Sequence, residues 1–236
     1  LNEYGLTKFV QRLQDEKQEV PELLKTMIGL KQEPYDTTSS RAYDHEAGMK
    51  FISRGEDVRR LGDHKKYANH LSRNFAATIW QFNDEPREQK ILCCEFHTKA
   101  NALNADAMKI LEESVDRLEQ DNYQGLVVYN EAMNFSAGAD LNTMIDLADV
   151  KDWKGIDKYL SDFQSACKKM KYATKPTVSA VAGLAIGGGF EVACQTSKMV
   201  AHMNSTLGLV ETGVGLVPGG GGCKELLWRW VQYDKY

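Results

Sequence analysis

The 236-residue sequence has no stretch approaching the roughly 20 apolar residues that a membrane-spanning helix needs, and no basic-then-apolar segment opens it. Neither a span nor a secretory leader is expected. Charge of one sign is also missing: 29 Lys and Arg against 33 Asp and Glu give a net charge of -4, with the signs interspersed. Without a basic stripe there is nothing to attract nucleic acid or an anionic membrane, which leaves small molecules as the default partners. Cysteine is sparse and unpatterned. Cys93 and Cys94 are neighbours that point to opposite faces of any strand, and Cys167, Cys194 and Cys223 show no CxxC and no companion histidine spacing. No metal site is expected, and a reducing, cytoplasmic setting is. The phosphate-binding glycine patterns are absent as well: Gly213, Gly215 and then Pro218 break a GxGxxG, and no Lys-Ser/Thr follows any glycine set. A dinucleotide or P-loop site in this chain is therefore not expected.

What is present divides into two kinds of pattern. Residues 1 to 30 carry short amphipathic helical pieces, with Phe9, Val10 and Leu13 on one face and Leu23, Leu24, Met27 and Ile28 after Pro21. Residues 31 to 48, "KQEPYDTTSSRAYDHEAG", have the polar, breaker-rich composition of a connector, and a charged helical piece follows around Glu56 to His70. The composition places a domain boundary near residue 70. The chain opens on Leu1 and not Met, as a fragment or processed product would.

Beyond residue 70 strands and helices alternate. Residues 75 to 82 and 91 to 97 flank a polar turn and predict a hairpin. Met108, Leu111, Val115 and Leu118 recur at helical steps, and "GLVVYN" (125 to 130) has the continuous apolar run of a strand covered on both faces. Trp153, Ile156, Leu160, Phe163, Cys167 and Met170 form a longer stripe, expected to be core. Strands are expected at 176 to 183 and 198 to 203. This order predicts an α/β domain with right-handed crossovers.

Three loops after strands are built of small residues that expose backbone: 134 to 141, 183 to 191 and 208 to 222. Such loops let a ligand approach main-chain N–H groups, which are good donors to a developing oxyanion. Each of two carboxylates, Glu191 in "GLAIGGGFEVACQ" and Glu211 in "GLVETGVGLVPGG", is the only charge in its apolar surroundings. An unpaired buried charge costs several kcal/mol unless something satisfies it, and two of them beside donor loops suit acid/base work on a carbonyl substrate. A salt-bridged structural role is the bland alternative for either glutamate. His97 and His202 lie outside the small-residue loops and are expected to be packed or strand-end histidines.

Residues 91 to 226 resemble the enoyl-CoA hydratase/isomerase (crotonase) superfamily, through "FHTKANALNADAM", "NFSAGADL", "KPTVSAVAGLAIGGGFEVA" and "TLGLVETGVGLVPGGGG". The resemblance implies a crotonase-like ββα superhelix core over residues 71 to 236, preceded by the short helical segment and linker. It further implies that the N–H groups of Ala139 and Gly188 form an oxyanion hole for the thioester carbonyl of an acyl-CoA. Glu191 would position and deprotonate a water for attack at Cβ, and Glu211 would deliver the proton to Cα. Lys99, Ala100 and Ala102, with Ser136, Ala137, Gly138, Asp140 and Leu141, would contact the CoA moiety. Both glutamates together imply hydration of a trans-2-enoyl-CoA in fatty-acid β-oxidation; double-bond isomerisation and a non-catalytic acyl-CoA-binding module are the rival readings. No cofactor is implied for this portion.

Two departures accompany the match. The superfamily continues with further helices, which close the site and build a homo-oligomer, past the point where this sequence stops at Tyr236. Residues 1 to 70 instead resemble the end of a 3-hydroxyacyl-CoA dehydrogenase domain in fused fatty-acid oxidation proteins. That implies a bifunctional parent whose NAD-binding part lies outside this chain.

Overall fold

The computed structural model describes residues 5–30, 35–36, 41–44, 48–51, 61–65, 70–84, 89–120 and 122–233. Contacts divide the chain into two units, Leu1–Val58 and Arg59–Tyr236. In the first, α1 (Leu6–Asp15) and α2 (Glu22–Gly29) bury Leu6, Val10, Val20, Leu24 and Met27 in a small cluster against which Phe9, Leu13 and Ile28 pack. The expected helical pieces are therefore present, with Leu23 turned outward at 42% exposure. The segment read as a connector holds β1 (Tyr35–Asp36), β2 (Arg41–Asp44) and β3 (Gly48–Phe51), an antiparallel sheet in which Tyr43 pairs with Met49. Strands of two to four residues are too short for an alternating apolar pattern to show in the sequence.

The second unit starts earlier than the composition suggests. In α3 (Leu61–Lys65), Leu61 is 1% exposed and packs with Trp80 and Cys93, so this helix belongs with the strands that follow it. Residues 56–60 and 66–69 of the expected charged helix lie outside the described residues, and His70, expected at its end, instead opens a strand. A hairpin of β5 (Ala77–Asp84) and β6 (Gln89–Phe96) runs in full antiparallel register from Ala77 opposite Phe96 to Asp84 opposite Gln89, with the short edge strand β4 (His70–Arg73) beside β5. Alternation along these strands has a physical consequence on both faces. Ala77, Ile79, Leu92, Cys94 and Phe96 enter the main core, whereas Trp80 and Cys93 meet Leu61 on the opposite face. Glu95 is buried on that opposite face and satisfied there by the Trp80 indole N–H at 2.9 Å and by Lys65.

The remaining strands add in parallel through helical crossovers. After α4 (Ala105–Gln120) comes β7 (Gly125–Tyr129); after α5 (Leu141–Asp149) and α6 (Trp153–Lys171) comes β8 (Thr177–Val181); after β9 (Leu184–Ile186) and α7 (Gly188–Cys194) come β10 (Lys198–Ala201) and β11 (Thr206–Gly208). The six-stranded sheet runs β10-β8-β7-β6-β5-β4, and β11 with β9 forms a second, two-stranded parallel sheet. Helix α4 starts at an Asn104 whose side chain accepts from the N–H of Ala107, and buries Met108, Leu111, Val115 and Leu118 as its periodicity predicts. Helix α6 is capped by Asp152 and ends in Lys168, Lys169 and Lys171, cations that favour a helix C-terminus.

The stripe on α6 is core only over its second half. Phe163, Cys167 and Met170 are buried, but Trp153 is 65% exposed and Leu160 borders a cavity. A stripe shows which face of a helix is apolar and says nothing of whether its neighbour is protein or empty space. The chain ends its described part in α8 (Gly222–Tyr233), whose Arg229 Nη2 donates to the carbonyls of Cys194 and Thr196 at the end of α7, at 2.7 and 2.9 Å. No helix among the described residues is long and apolar enough to cross a membrane.

Candidate active site

Two loops meet because their backbones pair. Ser136 N–H donates to Leu184 O at 2.9 Å and Ile186 N–H to Ser136 O at 3.1 Å, so the loop after β7 and the strand before the triple glycine behave as neighbouring strands at this point. Asn130 braces the first loop from inside: its side chain accepts from Phe96 N–H at 2.6 Å and donates to Phe135 O. Gly187 has φ +52 and ψ -129, a conformation that side chains resist. At Gly188 the demand is for room, since an added Cβ would lie 3.0 Å from the Phe163 ring and 3.1 Å from Ala139 N.

That last distance places Gly188 against the Ala139 main chain. Among the described residues neither Ala139 N–H nor Gly188 N–H has an acceptor, and both residues line one cavity of about 450 Å³. Gly188 also opens α7, all seven residues of which are buried. A pair of main-chain donors held by sheet pairing and by tight glycine packing is pre-organised to receive an oxygen on which negative charge grows.

Glu191 lies one turn into α7, is 2% exposed and borders the same cavity. Its Oε1 accepts from the N–H groups of Gly220 and Gly222, both at 2.8 Å, from the glycine run that leads into α8. Burial pushes its carboxyl above the ordinary range; the two glycine N–H bonds work against that shift and the charge of Glu211 adds to it. Glu211 opens a 3₁₀ turn (Glu211–Val214) and also lines the cavity. Its Oε2 is buried with no hydrogen-bond partner among the described residues, and its Oε1 is 3.3 Å from where a Cβ on Gly187 would stand. A buried acceptor without a partner is costly in a folded protein, and its retention beside a cavity fits a group reserved for a bound molecule.

Of the site residues expected from the sequence, the cavity brings together Ala137, Gly138, Ala139, Leu141, Gly188, Glu191 and Glu211. Lys99, Ala100, Ala102, Ser136 and Asp140 lie outside its lining. Lys99 and Ala100 are exposed on a 3₁₀ turn (Lys99–Asn101) where Ala100 has φ +54. That turn is tied to the first loop: Ala137 N–H donates to Ala100 O at 3.1 Å, Leu103 N–H to Gly138 O at 2.8 Å and Asp140 N–H to Leu103 O at 2.9 Å. Ser136 is fully buried, its hydroxyl donating to Asn101 O and accepting from Gly138 N–H. The Asp140 side chain caps α5 through Asn142 N–H at 3.1 Å. His97 and His202 are strand-end residues whose main-chain N–H groups donate to Ala76 O and Val181 O.

The rest of the cavity wall comes from residues to which the sequence reading assigns no role in the site. Met144 of α5, Tyr159, Leu160 and Phe163 of α6, and Val214, Leu216 and Val217 after Glu211 make it largely apolar. The Tyr159 phenol donates to Leu103 O and Asp140 O at 3.3 Å, and burial, with Asp140 nearby, pushes its pKa up to about 12. The α6 periodicity and the loop 208 to 222 were the signals that hinted at this wall.

Comparison with known proteins identifies the family. A protein of Bacillus subtilis described as "Probable 3-hydroxyacyl-CoA dehydrogenase" is 29% identical over 231 residues, covering 94% of this chain and 28% of its own length. A Rhizobium meliloti protein described as "Probable enoyl-CoA hydratase" is 35% identical over 127 residues, covering 53% of this chain and 47% of its own length. The solved structure of Pseudomonas aeruginosa DspI superposes with a TM-score of 0.59 at 26% identity, over 67% of this chain and 62% of that one. The chain thus spans less than two thirds of the length of each. The family described as "Enoyl-CoA hydratase/isomerase" matches residues 87–232, which takes in both donor loops and both glutamates. With that match over more than half its length, the chain belongs to the enoyl-CoA hydratase/isomerase family.

Proposed function

We propose that this domain hydrates trans-2-enoyl-CoA thioesters to 3-hydroxyacyl-CoA. The observation that carries the reading is the convergence of two free main-chain N–H groups and two carboxylates on one apolar cavity. The thioester oxygen would accept from Ala139 N–H and Gly188 N–H. Glu191, held through Oε1 by Gly220 and Gly222, would take a proton from water as the water oxygen bonds to Cβ. The electron pair of the double bond moves toward the thioester, and the resulting enolate oxygen is stabilised by the same two donors. Glu211, in its protonated form, then gives its proton to Cα, which restores the thioester carbonyl, and the proton left on Glu191 returns to Glu211 through solvent to reset the pair. Each oxyanion donor is worth about 3 kcal/mol to the transition state.

For the CoA moiety, the exposed turn at Lys99, Ala100 and Ala102 and the adjoining loop at Ser136, Ala137, Gly138, Asp140 and Leu141 would supply contacts, mainly through backbone, since the Ser136 and Asp140 side chains already have partners. The B. subtilis relative's name and its 94% coverage of this chain support a fused parent in which a 3-hydroxyacyl-CoA dehydrogenase oxidises the hydratase's product. NAD would serve that activity; no residue of this chain fits it, because the glycine fingerprint is missing, and no step here runs through it. A homo-oligomer and a cytoplasmic setting complete the proposal.

Crotonyl-CoA followed at its conjugated thioester absorbance tests the reading. Turnover that disappears in Glu191→Ala supports it. Loss of hydration with a retained 3-enoyl to 2-enoyl shift in that variant would assign isomerase chemistry, and binding of crotonyl-CoA without turnover would leave a binding module.

A further inference from the structure

Helix α7 sends two side chains to the same glycine. Glu191 and Gln195 are four residues apart and so lie on one face of the helix. Glu191 Oε1 accepts from Gly220 N–H at 2.8 Å, and Gln195 Nε2 donates to Gly220 O at 3.1 Å. Both polar groups of Gly220 are therefore held from α7, one by the carboxylate and one by the amide. Gln195 is 5% exposed, and a glutamine removed from water to this degree is stable only with its amide engaged.

The loop is held from outside at two carbonyls: Gln164 Nε2 of α6 donates to Gly219 O at 2.8 Å and Gln195 Nε2 to Gly220 O at 3.1 Å. Gly219, Gly220, Gly221 and Gly222 succeed one another, and a glycine run has the widest choice of backbone conformations of any sequence. The peptide that carries Gly220 N–H is held at Gly219 O by Gln164, and the next peptide, which separates Gly220 N–H from Gly222 N–H, is held at Gly220 O by Gln195. We infer that Gln195 is a positioning residue for Glu191: by holding Gly220 O it fixes the Gly220–Gly221 peptide, and with it the convergence of Gly220 N–H and Gly222 N–H on the carboxylate. This rests on Glu191 being the catalytic carboxylate. A leucine would fill the same space equally well, so an amide at this position is explained by its donor.

Gln195 borders a second cavity, which shares Gly219 and Gly220 with the first. Lys168, Lys171 and Lys224 line this space of about 320 Å³ with Gln195 and Gly220. Lys171 and Lys224 pair there with the buried Glu225. The groups facing Glu191 itself are Glu211 from the 3₁₀ turn, Cys167 from α6 and Cys194 from α7. The Gly220 and Gly222 bonds oppose the upward pressure of burial on the Glu191 carboxyl, so loosening the loop raises the pH at which Glu191 becomes a base.

The test uses the full chain with Gln195→Met, which keeps length and burial but removes the donor, and Gln195→Glu, which keeps the shape and cannot donate once ionised. Melting temperature and circular dichroism report folding. In whichever variant folds, kcat for crotonyl-CoA hydration is expected to fall about tenfold with KM little changed, and the acid limb of kcat/KM to move to higher pH. A folded variant with unaltered kcat and an unmoved limb overturns the inference and leaves the hydratase reading standing. A wild-type chain without hydratase activity overturns both, and Glu191→Gln measured alongside tells the two failures apart.

Discussion

Glu211 raises the pKa of Glu191 across a shared cavity, while Glu191 Oε1 accepts from the N–H groups of Gly220 and Gly222 and not from Glu211. The carboxylates are thus electrostatically aware of each other without being bonded to each other. Such an arrangement leaves room for a molecule between them.

Replacing Glu191 by Gln should separate stability from activity. The folded-state pKa of Glu191 is raised, so the folded protein binds its proton more tightly than the unfolded chain does; this contribution favours folding at low pH and is lost as pH rises through the folded value. Glu191→Gln keeps an acceptor for Gly220 and Gly222 and removes the charge. Its melting temperature at pH 7 is expected to exceed that of the wild type, by about 2–4 °C for each kcal/mol relieved, with the gap closing below pH ~4 where model carboxyls protonate. Thermal scans against pH read this directly, and a lower melting temperature at pH 7 would count against it.

Removing the Glu211 charge should move the same ionisation the other way. Because Glu211 helps raise the Glu191 carboxyl, Glu211→Gln is expected to bring the Glu191 titration to lower pH. The carboxyl resonance of Glu191, followed by isotope-edited NMR through a pH titration, would show it, and a shift upward would mean that the two groups do not face each other.

At Gly188 the expected effect is on the transition state. A methyl there meets Phe163 at 3.0 Å and stands 3.1 Å from Ala139 N, directly beside the proposed donors. Gly188→Ala should lose about 10²–10³ in kcat while far-UV circular dichroism stays that of a folded chain.

Arg229 is a test of the scaffold. Its two bonds to the carbonyls of Cys194 and Thr196 tie α8 to the end of α7. Arg229→Ala should cost about 1–3 kcal/mol in urea unfolding, and a value near zero would show that α7 is held by its buried contacts alone.

Much of this architecture can be read from residue patterns. The α4 face at Met108, Leu111, Val115 and Leu118 is buried as its spacing predicts, and both isolated glutamates line one cavity. Patterns were informative wherever one residue's environment is set by its own element. They were silent where environment is set by distant chain: Gln195 has no sequence signature because its partner Gly220 is 25 residues away, and Tyr159 meets Leu103 56 residues back. The short strands of residues 35 to 51 carry no apolar alternation to betray them, and the α6 stripe could not reveal that Leu160 faces empty space while Met170 faces protein.

The account's central claim is that Glu191 and Glu211 act together on one bound enoyl thioester. The most direct measurement is kcat for crotonyl-CoA hydration in Glu191→Gln, Glu211→Gln and the double variant. Each single change should lower kcat by about 10²–10⁴, and the double variant should fall little further than the worse single one, since groups that work as a unit lose their function together. Near wild-type turnover in either single variant, or losses that simply multiply in the double, would contradict it.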